Sequence, residues 1–521
     1  MHYCAKLPTV RTVTSSSGAL DSPLSGTATP AEAAGLKQNA ISFLSNVVIG
    51  VASTAPGYSL AATLGFVTAV VGFHAPAIMI VAFLPMLCIA LAYNYLNRAD
   101  PDCGTTFSWV TKAMGPRPGW MGGWAIIVAD VIVMANLSQI AGLYSFQLFG
   151  NSDPSTFWIT FVGVIWIIVM TAICWRGIEL SARTQQFLLG AEFVTLMIFA
   201  IVALIKVYAG TAPAASSHVE LSWFSPFSGI SLSALISGVL LAVFIYWGWD
   251  SGVAVNEETE DSSDAPGRAA IVSTLLLVGI YVLVSTAAVA FAGTDTLTNN
   301  ADDVFAPIGK DVLGSGLDKL LIIAVLTSAS ASTQTTILPT ARTSLSMARQ
   351  RAMPSVFGRI HPRFQTPDVS TIVMGVVSII WYVGLTLVSD NILADSIAAL
   401  GLMIAFYYGI TGLACVVYYR RELTKSAKNF FYIGVLPFAG FASLGYLFVR
   451  SCIDLGRTDA GDTVILGVGG PLVIGLGGLL LGVVFMLIWN GVAPDFFKRK
   501  PEVADPTLLT GEAAAPEPVT P

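Results

Sequence analysis

A run of 60 residues, 38–97, contains no Asp, Glu, Lys or Arg. A helix needs about 20 consecutive apolar residues to cross the hydrocarbon core of a bilayer, so this run is long enough for two crossings and the turn between them. Charged residues make up 11% of the 521-residue chain, whereas an ordinary soluble domain has about 25%. The sequence therefore predicts a polytopic membrane protein and excludes a multidomain cytosolic enzyme, a disordered protein and a disulfide scaffold.

Further apolar stretches of spanning length follow the first run. Two of them contain one acid each: Asp130 lies within 119–147 and Glu192 within 184–208. The remaining stretches carry no charge and are 154–175, 221–249, 269–294, 320–341, 369–389, 396–419, 429–449 and 463–494. Division of the first run near residues 72–76 gives twelve predicted spans, which places both termini on the same side of the membrane.

The basic residues predict the orientation of these spans. With a cytoplasmic N-terminus, five of the 26 basic residues fall outside and the other 21 inside, which is a strong positive-inside bias. We therefore expect a multi-pass protein of the plasma (inner) membrane with both termini in the cytoplasm. The polar ends, 1–36 and 498–521, are predicted to be disordered cytoplasmic tails. The six cysteines have no metal-ligand spacing, and we expect no metal, no cofactor and no nucleic-acid partner.

Glycine and proline interrupt two of the predicted spans. The first reads Gly50-Val-Ala-Ser-Thr-Ala-Pro-Gly-Tyr58, and the sixth reads Phe244-Ile-Tyr-Trp-Gly-Trp-Asp-Ser-Gly252. Irregular backbone at membrane depth is tolerated only where it is buried in protein or lines a cavity. Interruptions at corresponding places in two halves are typical of transporters built from inverted repeats, whose half-helix ends bind the charged groups of a substrate.

Three motifs carry a resemblance to a known family. They are the loop Pro101–Gly115 with Gly119-Trp-Met-Gly-Gly-Trp124, the sixth span from Phe244 to Glu258, and Ala341-Arg342 followed by Arg349-Gln-Arg-Ala-Met-Pro354. Together they resemble the amino acid–polyamine–organocation (APC) superfamily of permeases over about residues 40–490. Ala352 stands where the family usually has Gly.

The resemblance implies an all-α LeuT-type fold that works by alternating access. Ten core helices would form two inverted repeats of five, at 37–210 and 221–418, and two more helices would follow in 429–492. The implied substrates are amino acids or related amines. A small-molecule substrate, a proton or sodium ion and the lipid bilayer are therefore the expected partners, in a monomer or a homodimer.

The resemblance also implies binding roles for residues at the two interruptions. Backbone amides of the first break would hold a substrate carboxylate, the aromatic side chain of Phe244 would act as a gate, and carbonyl groups of the sixth span would take the amine. The implied substrate-binding residues are Ser53, Thr54, Ala55, Gly57, Phe244, Ile245, Trp247 and Asp250. Glu192 aligns where some proton-coupled relatives carry a lysine.

Three acids lie at membrane depth, where a charge is costly and marks a functional candidate. Asp250 either binds the substrate ammonium or relays a proton, or it caps the half-helix that follows it. Glu192 is either a proton carrier or a structural glutamate between helices, and Asp130 is a third coupling candidate. The span-eight hydroxyls of Ser328, Ser332 and Thr333 form an alternative sodium site or simply allow close helix packing.

These patterns predict a secondary active transporter and not an enzyme. The main hypothesis is proton-coupled symport of an amino acid or related amine. The alternatives are an amino acid/polyamine exchanger (antiporter) and a sodium-coupled symporter. A non-transporting sensor is disfavoured because the short tails contain no output domain.

Overall fold

In the computed structural model, residues 35–504 are described, except 152, 302, 390 and 459–462. Most of the two predicted tails therefore lies outside the described residues, and their disorder stays a prediction. The described chain is almost entirely helical. It also contains a short antiparallel ribbon of β1 (Val464–Ile465) and β2 (Val468–Gly469).

The described residues form eighteen α-helices, several of which are halves of interrupted spans. They are α1 (Phe43–Ser53), α2 (Pro56–Val71), α3 (Ala75–Ala99), α4 (Thr106–Met114), α5 (Pro116–Leu148), α6 (Thr156–Arg176), α7 (Ile178–Tyr208), α8 (Leu232–Val243), α9 (Ser251–Ala254), α10 (Ala265–Asn299), α11 (Phe305–Leu313), α12 (Lys319–Arg349), α13 (Asp368–Val388), α14 (Ile392–Tyr418), α15 (Ala427–Asn429), α16 (Leu436–Asp454), α17 (Gly470–Val492) and α18 (Pro494–Phe497). A π-helical segment, Phe430–Val435, connects α15 to α16.

Eleven stretches within the described residues are long and apolar enough to cross a membrane. The first, Phe43–Ala99, has 57 residues and contains α1, α2 and α3. A 3-10 turn at Gly72–His74 divides it, and its length suffices for two crossings. The chain is thus a multi-pass all-α membrane protein, whereas the number of twelve spans is not confirmed and stays a prediction.

The centre of the bundle and its periphery differ in burial. The helices α5 and α12 pack along each other in the centre, and α3 packs along α10. The outer helices α6 and α17 are mostly exposed, with large apolar side chains such as Phe157, Trp158 and Leu487 on their surfaces. A soluble protein rarely exposes so much apolar surface, so these faces are the ones that contact lipid.

Backbone hydrogen bonds and an ion pair join three segments at one end of the bundle. The amides of Ala40 and Ile41, just before α1, donate to the Glu258 carbonyl oxygen at 2.8 and 3.1 Å. The Glu258 carboxylate forms a buried ion pair with Arg342 of α12, with N–O distances of 2.5 and 2.9 Å. The start of the first span, the end of the sixth and α12 are thereby joined at this end.

A second ion pair supports the first on its outer side. Arg349 lies 2.8 Å from a carboxylate oxygen of Glu257. Burial raises the pKa of Glu257, but the Arg349 charge and the Cys103 amide more than offset this, so the pKa lies below its usual value. Glu257 therefore stays ionised and paired at neutral pH.

Candidate functional site

The first span is broken between α1 and α2. Ser53 is the last residue of α1, Pro56 is the first residue of α2, and Ala55 between them adopts a left-handed conformation with φ 47° and ψ 64°. Such a conformation costs an L-residue about 1–2 kcal/mol and is kept only where the surroundings hold it. Pro56 fits the first helical position, where an amide hydrogen has no partner within the helix. The predicted interruption of this span is confirmed.

The amino end of α2 is capped by side chains from two distant helices. Glu192 of α7 accepts a hydrogen bond from the Gly57 amide, with an N–Oε1 distance of 2.6 Å. Ser328 of α12 accepts one from the Tyr58 amide at 3.1 Å. A carboxylate is stabilised there because the free N–H groups and the helix dipole give the amino end a partial positive charge.

The other amides around this break are also engaged. Those of Thr54 and Ala55 donate to carbonyl groups of α1, and that of Ser59 donates to the Ala55 carbonyl. Pro56 has no amide hydrogen. The amides of Thr54, Ala55 and Gly57, which the family resemblance assigns to a substrate carboxylate, are therefore bonded to the protein itself in this conformation. The neighbouring amides of Tyr58 and Ser59 are bonded as well.

Glu192 has one bonded and one unbonded carboxylate oxygen. Its side chain is completely buried in the middle of α7. Oε1 bonds Gly57, whereas Oε2 is buried and has no hydrogen-bond partner among the described residues. A Cβ atom at position 57 would lie only 3.3 Å from Oε1, so glycine permits this close approach. Oε2 is placed to hold a proton or to accept a hydrogen bond from a cation.

The sixth span is broken beside the first. The helix narrows to a 3-10 turn at Phe244–Tyr246, Trp247 is extended, and Gly248 has φ +113°. A Cβ atom at position 248 would lie 2.8 Å from the Ser53 carbonyl oxygen. The Ser53 and Ser251 hydroxyls are 2.8 Å apart. The predicted interruption is confirmed, and the two breaks lie against each other at the centre of the protein.

Because Gly248 combines a positive φ with a close backbone contact, we expect Gly248→Ala to destabilise the protein by roughly 1–3 kcal/mol. Melting of the purified protein in detergent would show this as a clear fall in Tm. Gly279→Ala is the matched control, since nothing lies within 4 Å of a Cβ at that helical position, and alanine favours the helix there. Equal melting temperatures for the two variants would contradict the tight packing of the breaks.

Asp250 precedes α9 but makes no side-chain cap with it. Its carboxylate instead accepts hydrogen bonds from two hydroxyls of α14, Tyr408 to Oδ1 at 2.7 Å and Tyr407 to Oδ2 at 3.1 Å. The Trp247 indole donates in turn to the Tyr407 oxygen. Its backbone carbonyl still accepts hydrogen bonds from the Val253 and Ala254 amides at the start of α9. The choice between a helix cap and a binding or proton-relay role therefore stays a prediction. In the sequence, the one indication of these partners is that Tyr407 and Tyr408 are adjacent in a mostly apolar span.

Aromatic rings pack beside Tyr408, one of the two tyrosines that donate to Asp250. The Trp249 ring stacks on that of Tyr408, with ring centroids 5.0 Å apart, and Tyr93 meets both rings edge-on. Aromatic faces attract organic cations, the more so when the cation is desolvated. An acid held by hydroxyl groups with such rings nearby is suited to an ammonium group.

The structure places the remaining predicted binding residues around the breaks, but not all of their groups are open. The Ile245 carbonyl, one of the two assigned to the amine, accepts a hydrogen bond from the Tyr281 hydroxyl at 2.6 Å. Phe244 is buried beside the sixth-span break. Asp130 lies on α5, where it accepts a hydrogen bond from Thr340 of α12, and makes no hydrogen bond to Asp250 among the described contacts.

The hydroxyls of the alternative sodium site have different partners. Ser332 donates to the Ser53 carbonyl at 2.8 Å, so it contacts the first break directly. Ser328 lies at the amino end of α2, as described above, whereas Thr333 donates to the Ala329 carbonyl of its own helix. These residues connect α12 to the breaks, and their role in sodium binding stays a prediction.

The buried site contains acids that have no basic partner among the described residues. Arg342 is the only buried basic residue in the described part of the chain, and Glu258 already neutralises it. No basic residue among those described pairs with Asp130, Glu192 or Asp250. Since an isolated buried charge is costly, this arrangement favours cations, either protons or a positively charged substrate.

Comparison with known proteins supports a transporter. A family model described as "Amino acid permease" matches residues 38–479. Over 80% of its length the chain has the fold of the crystal structure of MhsT in complex with L-phenylalanine, which is covered completely, with a TM-score of 0.58 and 15% sequence identity. MhsT has the LeuT-type fold, and the predicted fold class is therefore confirmed.

Relatives of the chain are named for different substrates. The low-affinity putrescine importer PlaP of Escherichia coli K12 is 24% identical over 406 residues, which cover 78% of this chain and 86% of PlaP. The branched-chain amino acid permease BcaP of Lactococcus lactis is 25% identical over 387 residues, which cover 70% of this chain and 79% of BcaP. An arginine/ornithine antiporter of Latilactobacillus sakei is 24% identical, with 53% of this chain and 58% of the antiporter covered.

Proposed function

The chain belongs to the amino acid permease family, and on that premise we propose that it is a proton-coupled symporter of an organic amine without an α-carboxylate, such as a diamine. The observation that carries this proposal is the contact between Glu192 and the Gly57 amide. The protein's own carboxylate occupies the helix end at which the carboxylate of an amino acid would bind. An amine that lacks this group has no need of that helix end.

Asp250 is the proposed ammonium site. Its carboxylate accepts hydrogen bonds from Tyr407 and Tyr408, and each carboxylate oxygen has room for a further donor by its lone pairs. An alkylammonium group would donate to it while its methylene groups contact the aromatic rings.

Glu192 is the proposed proton carrier. As a carboxylate it is stabilised at the amino end of α2 by the helix dipole. Protonation removes that charge and weakens its hold on Gly57, which frees α2 to move relative to α7. A proton taken up on one side and released on the other would thereby be linked to the movement of the broken span.

The names of the relatives include both an amine and amino acids as substrates. PlaP is named as a putrescine importer, whereas BcaP and the antiporter are named for amino acids. The substrate therefore has to be decided on the chain's own site, where the buried acids outnumber the buried bases.

Matched pairs of substrates test the proposal. In liposomes containing the purified protein, we expect putrescine to compete for uptake at least about tenfold more strongly than ornithine, and cadaverine than lysine, because each amino acid adds a carboxylate with no donor to receive it. Uptake should respond to an imposed pH gradient. Equal or better transport of the amino acids would contradict the proposal, and uptake that needs sodium and ignores pH would favour the sodium-coupled alternative.

We also place the protein in the plasma membrane with both termini in the cytoplasm, and assign 37–210 and 221–418 to the two inverted repeats. The distribution of basic residues and the two breaks support this arrangement. Labelling with an impermeant reagent tests the orientation, at a cysteine introduced at Arg499 in a variant whose six native cysteines are replaced by serine. Labelling in intact cells would contradict it.

A further inference from the structure

A basic cavity lies where α6 meets α7, at the end of the membrane-spanning segments. Its volume is about 290 Å³, and its lining includes Lys37, Arg176, Arg183, Arg363 and Glu179. The four basic side chains outnumber the single acid. None of the residues at the helix breaks lines this cavity, and the transport cycle proposed above makes no use of it.

Three of the four cations have no acidic partner. Lys37 pairs with Glu179 at 2.8 Å, but within the described part of the chain no carboxylate pairs with Arg176, Arg183 or Arg363. The Arg176 and Arg363 guanidinium groups both lie over the Phe364 ring, at 5.8 and 5.5 Å from its centroid. Like charges that line one cavity repel each other, so an anion bound there would be stabilised.

The backbone adds to the positive potential of the cavity. The helix α7 begins at Ile178 after Gly177, and no side chain caps its first turn. The free amides of a 31-residue helix contribute a partial positive charge at that point. The arginines and the helix end thus favour the same kind of ligand.

An apolar groove adjoins the basic cavity on the lipid-facing side. It has a volume of about 330 Å³ between α6 and α13, and Ile168, Ala172, Trp175, Gly375 and Val376 are among its lining residues. Trp175 is adjacent in sequence to Arg176, and its ring lies 5.0 Å from that of Phe364. The groove and the cavity therefore meet at these two rings.

We propose that the cavity and groove together form a binding site for one anionic phospholipid, with the phosphate among Arg176, Arg183 and Arg363 and an acyl chain along the groove. Basic pockets between membrane helices at the headgroup level are suited to such lipids. A soluble phosphate would satisfy the cavity but would leave the adjoining groove unused. The lipid would brace the start of α7, the helix that carries Glu192 in its middle.

Native mass spectrometry of the delipidated full-length protein tests this site, with dioleoylphosphatidylglycerol as the probe and dioleoylphosphatidylcholine as the uncharged comparison. We expect one phosphatidylglycerol to bind in preference to phosphatidylcholine. The triple variant Arg176→Gln, Arg183→Gln and Arg363→Gln should bind it roughly 100-fold more weakly, since each arginine contributes about a factor of five.

The control is a triple variant of exposed basic residues elsewhere, Arg420→Gln, Arg421→Gln and Lys428→Gln, which should bind the lipid as the unmodified chain does. Val376→Trp fills the groove without a change of charge. It should weaken phosphatidylglycerol binding and leave the binding of glycerol 1-phosphate unchanged, whereas Ile488→Trp on the outer face of α17 should alter neither.

Two results would overturn the proposal. Equal binding of phosphatidylglycerol by the two triple variants would show that the cavity does not select the lipid. Binding of glycerol 1-phosphate or inorganic phosphate as tight as that of the lipid, together with no effect of Val376→Trp, would make the cavity a site for a soluble anion instead.

Discussion

Asp250→Asn is expected to lower amine transport by at least about 30-fold, because a buried carboxylate that pairs with a charged ligand contributes about 2–5 kcal/mol. Asparagine has nearly the same shape as aspartate and retains an oxygen that accepts from Tyr408. It removes the charge that the ammonium group requires. The loss should therefore appear in substrate binding and transport, with little change in the stability of the fold.

Two measurements separate the effect on the substrate from the effect on stability. One is uptake of labelled putrescine into liposomes, and the other is Tm with and without added putrescine. Ligand binding to the native state raises Tm by mass action, so the variant should lose this rise while its Tm without ligand stays close to the original. Asp395→Asn is the matched control, because Asp395 is also fully buried and lies on α14, the helix of the two tyrosines. If Asp250→Asn transports putrescine within a few-fold of the unmodified protein, Asp250 does not bind the substrate.

Glu192→Gln is expected to abolish accumulation driven by a pH gradient while exchange of substrate across the membrane continues. Glutamine retains an oxygen that accepts from the Gly57 amide, but it cannot exchange a proton. With one proton carried per substrate, a gradient of one pH unit sustains about a tenfold accumulation. The variant should approach a ratio of about one, because nothing then links the proton gradient to substrate movement.

The experiment compares net uptake with counterflow in the same liposomes, with the membrane potential clamped by potassium and valinomycin. Clamping is essential because a cationic substrate also responds to the potential. Asp395→Asn is again the control, since Asp395 is another fully buried acid and lies on a different helix, α14. If Glu192→Gln still accumulates substrate in response to pH, the proton is carried elsewhere, with Asp130 as the next candidate.

Charge spacing was sufficient to predict a multi-pass helical membrane protein, whereas the LeuT-type arrangement was implied by the family resemblance. A long apolar helix in lipid needs no partner from elsewhere in the chain to satisfy its backbone, so spans and their interruptions can be read locally. The breaks at Ala55 and Gly248 were predictable for the same reason, because proline and glycine act on their own backbone. The number of spans is harder to predict, since α1, α2 and α3 follow one another without a charged residue between them.

The partners within the site could not be predicted in the same way. Glu192 and Gly57 are 135 residues apart, and Asp250 and Tyr408 are 158 residues apart. Such pairs depend on how the helices pack, which apolar periodicity does not specify. The sequence identified Glu192 and Asp250 because charge is rare at membrane depth. It could not indicate that Glu192 occupies a helix end, which is the contact that changes the expected substrate.

The backbone contact between the first and sixth spans has a mechanical consequence. Ile41 pairs with residues 258–260 through main-chain hydrogen bonds, whereas the connection to α12 depends on the Arg342 and Glu258 side chains. An ion pair between side chains can be replaced by hydrogen bonds to water more readily than paired main-chain segments can separate. We therefore expect α1 and α9 to move together as one rigid unit. The backbone would bend at the two central breaks, and the ion pair between Arg342 and Glu258 would have to open for this movement.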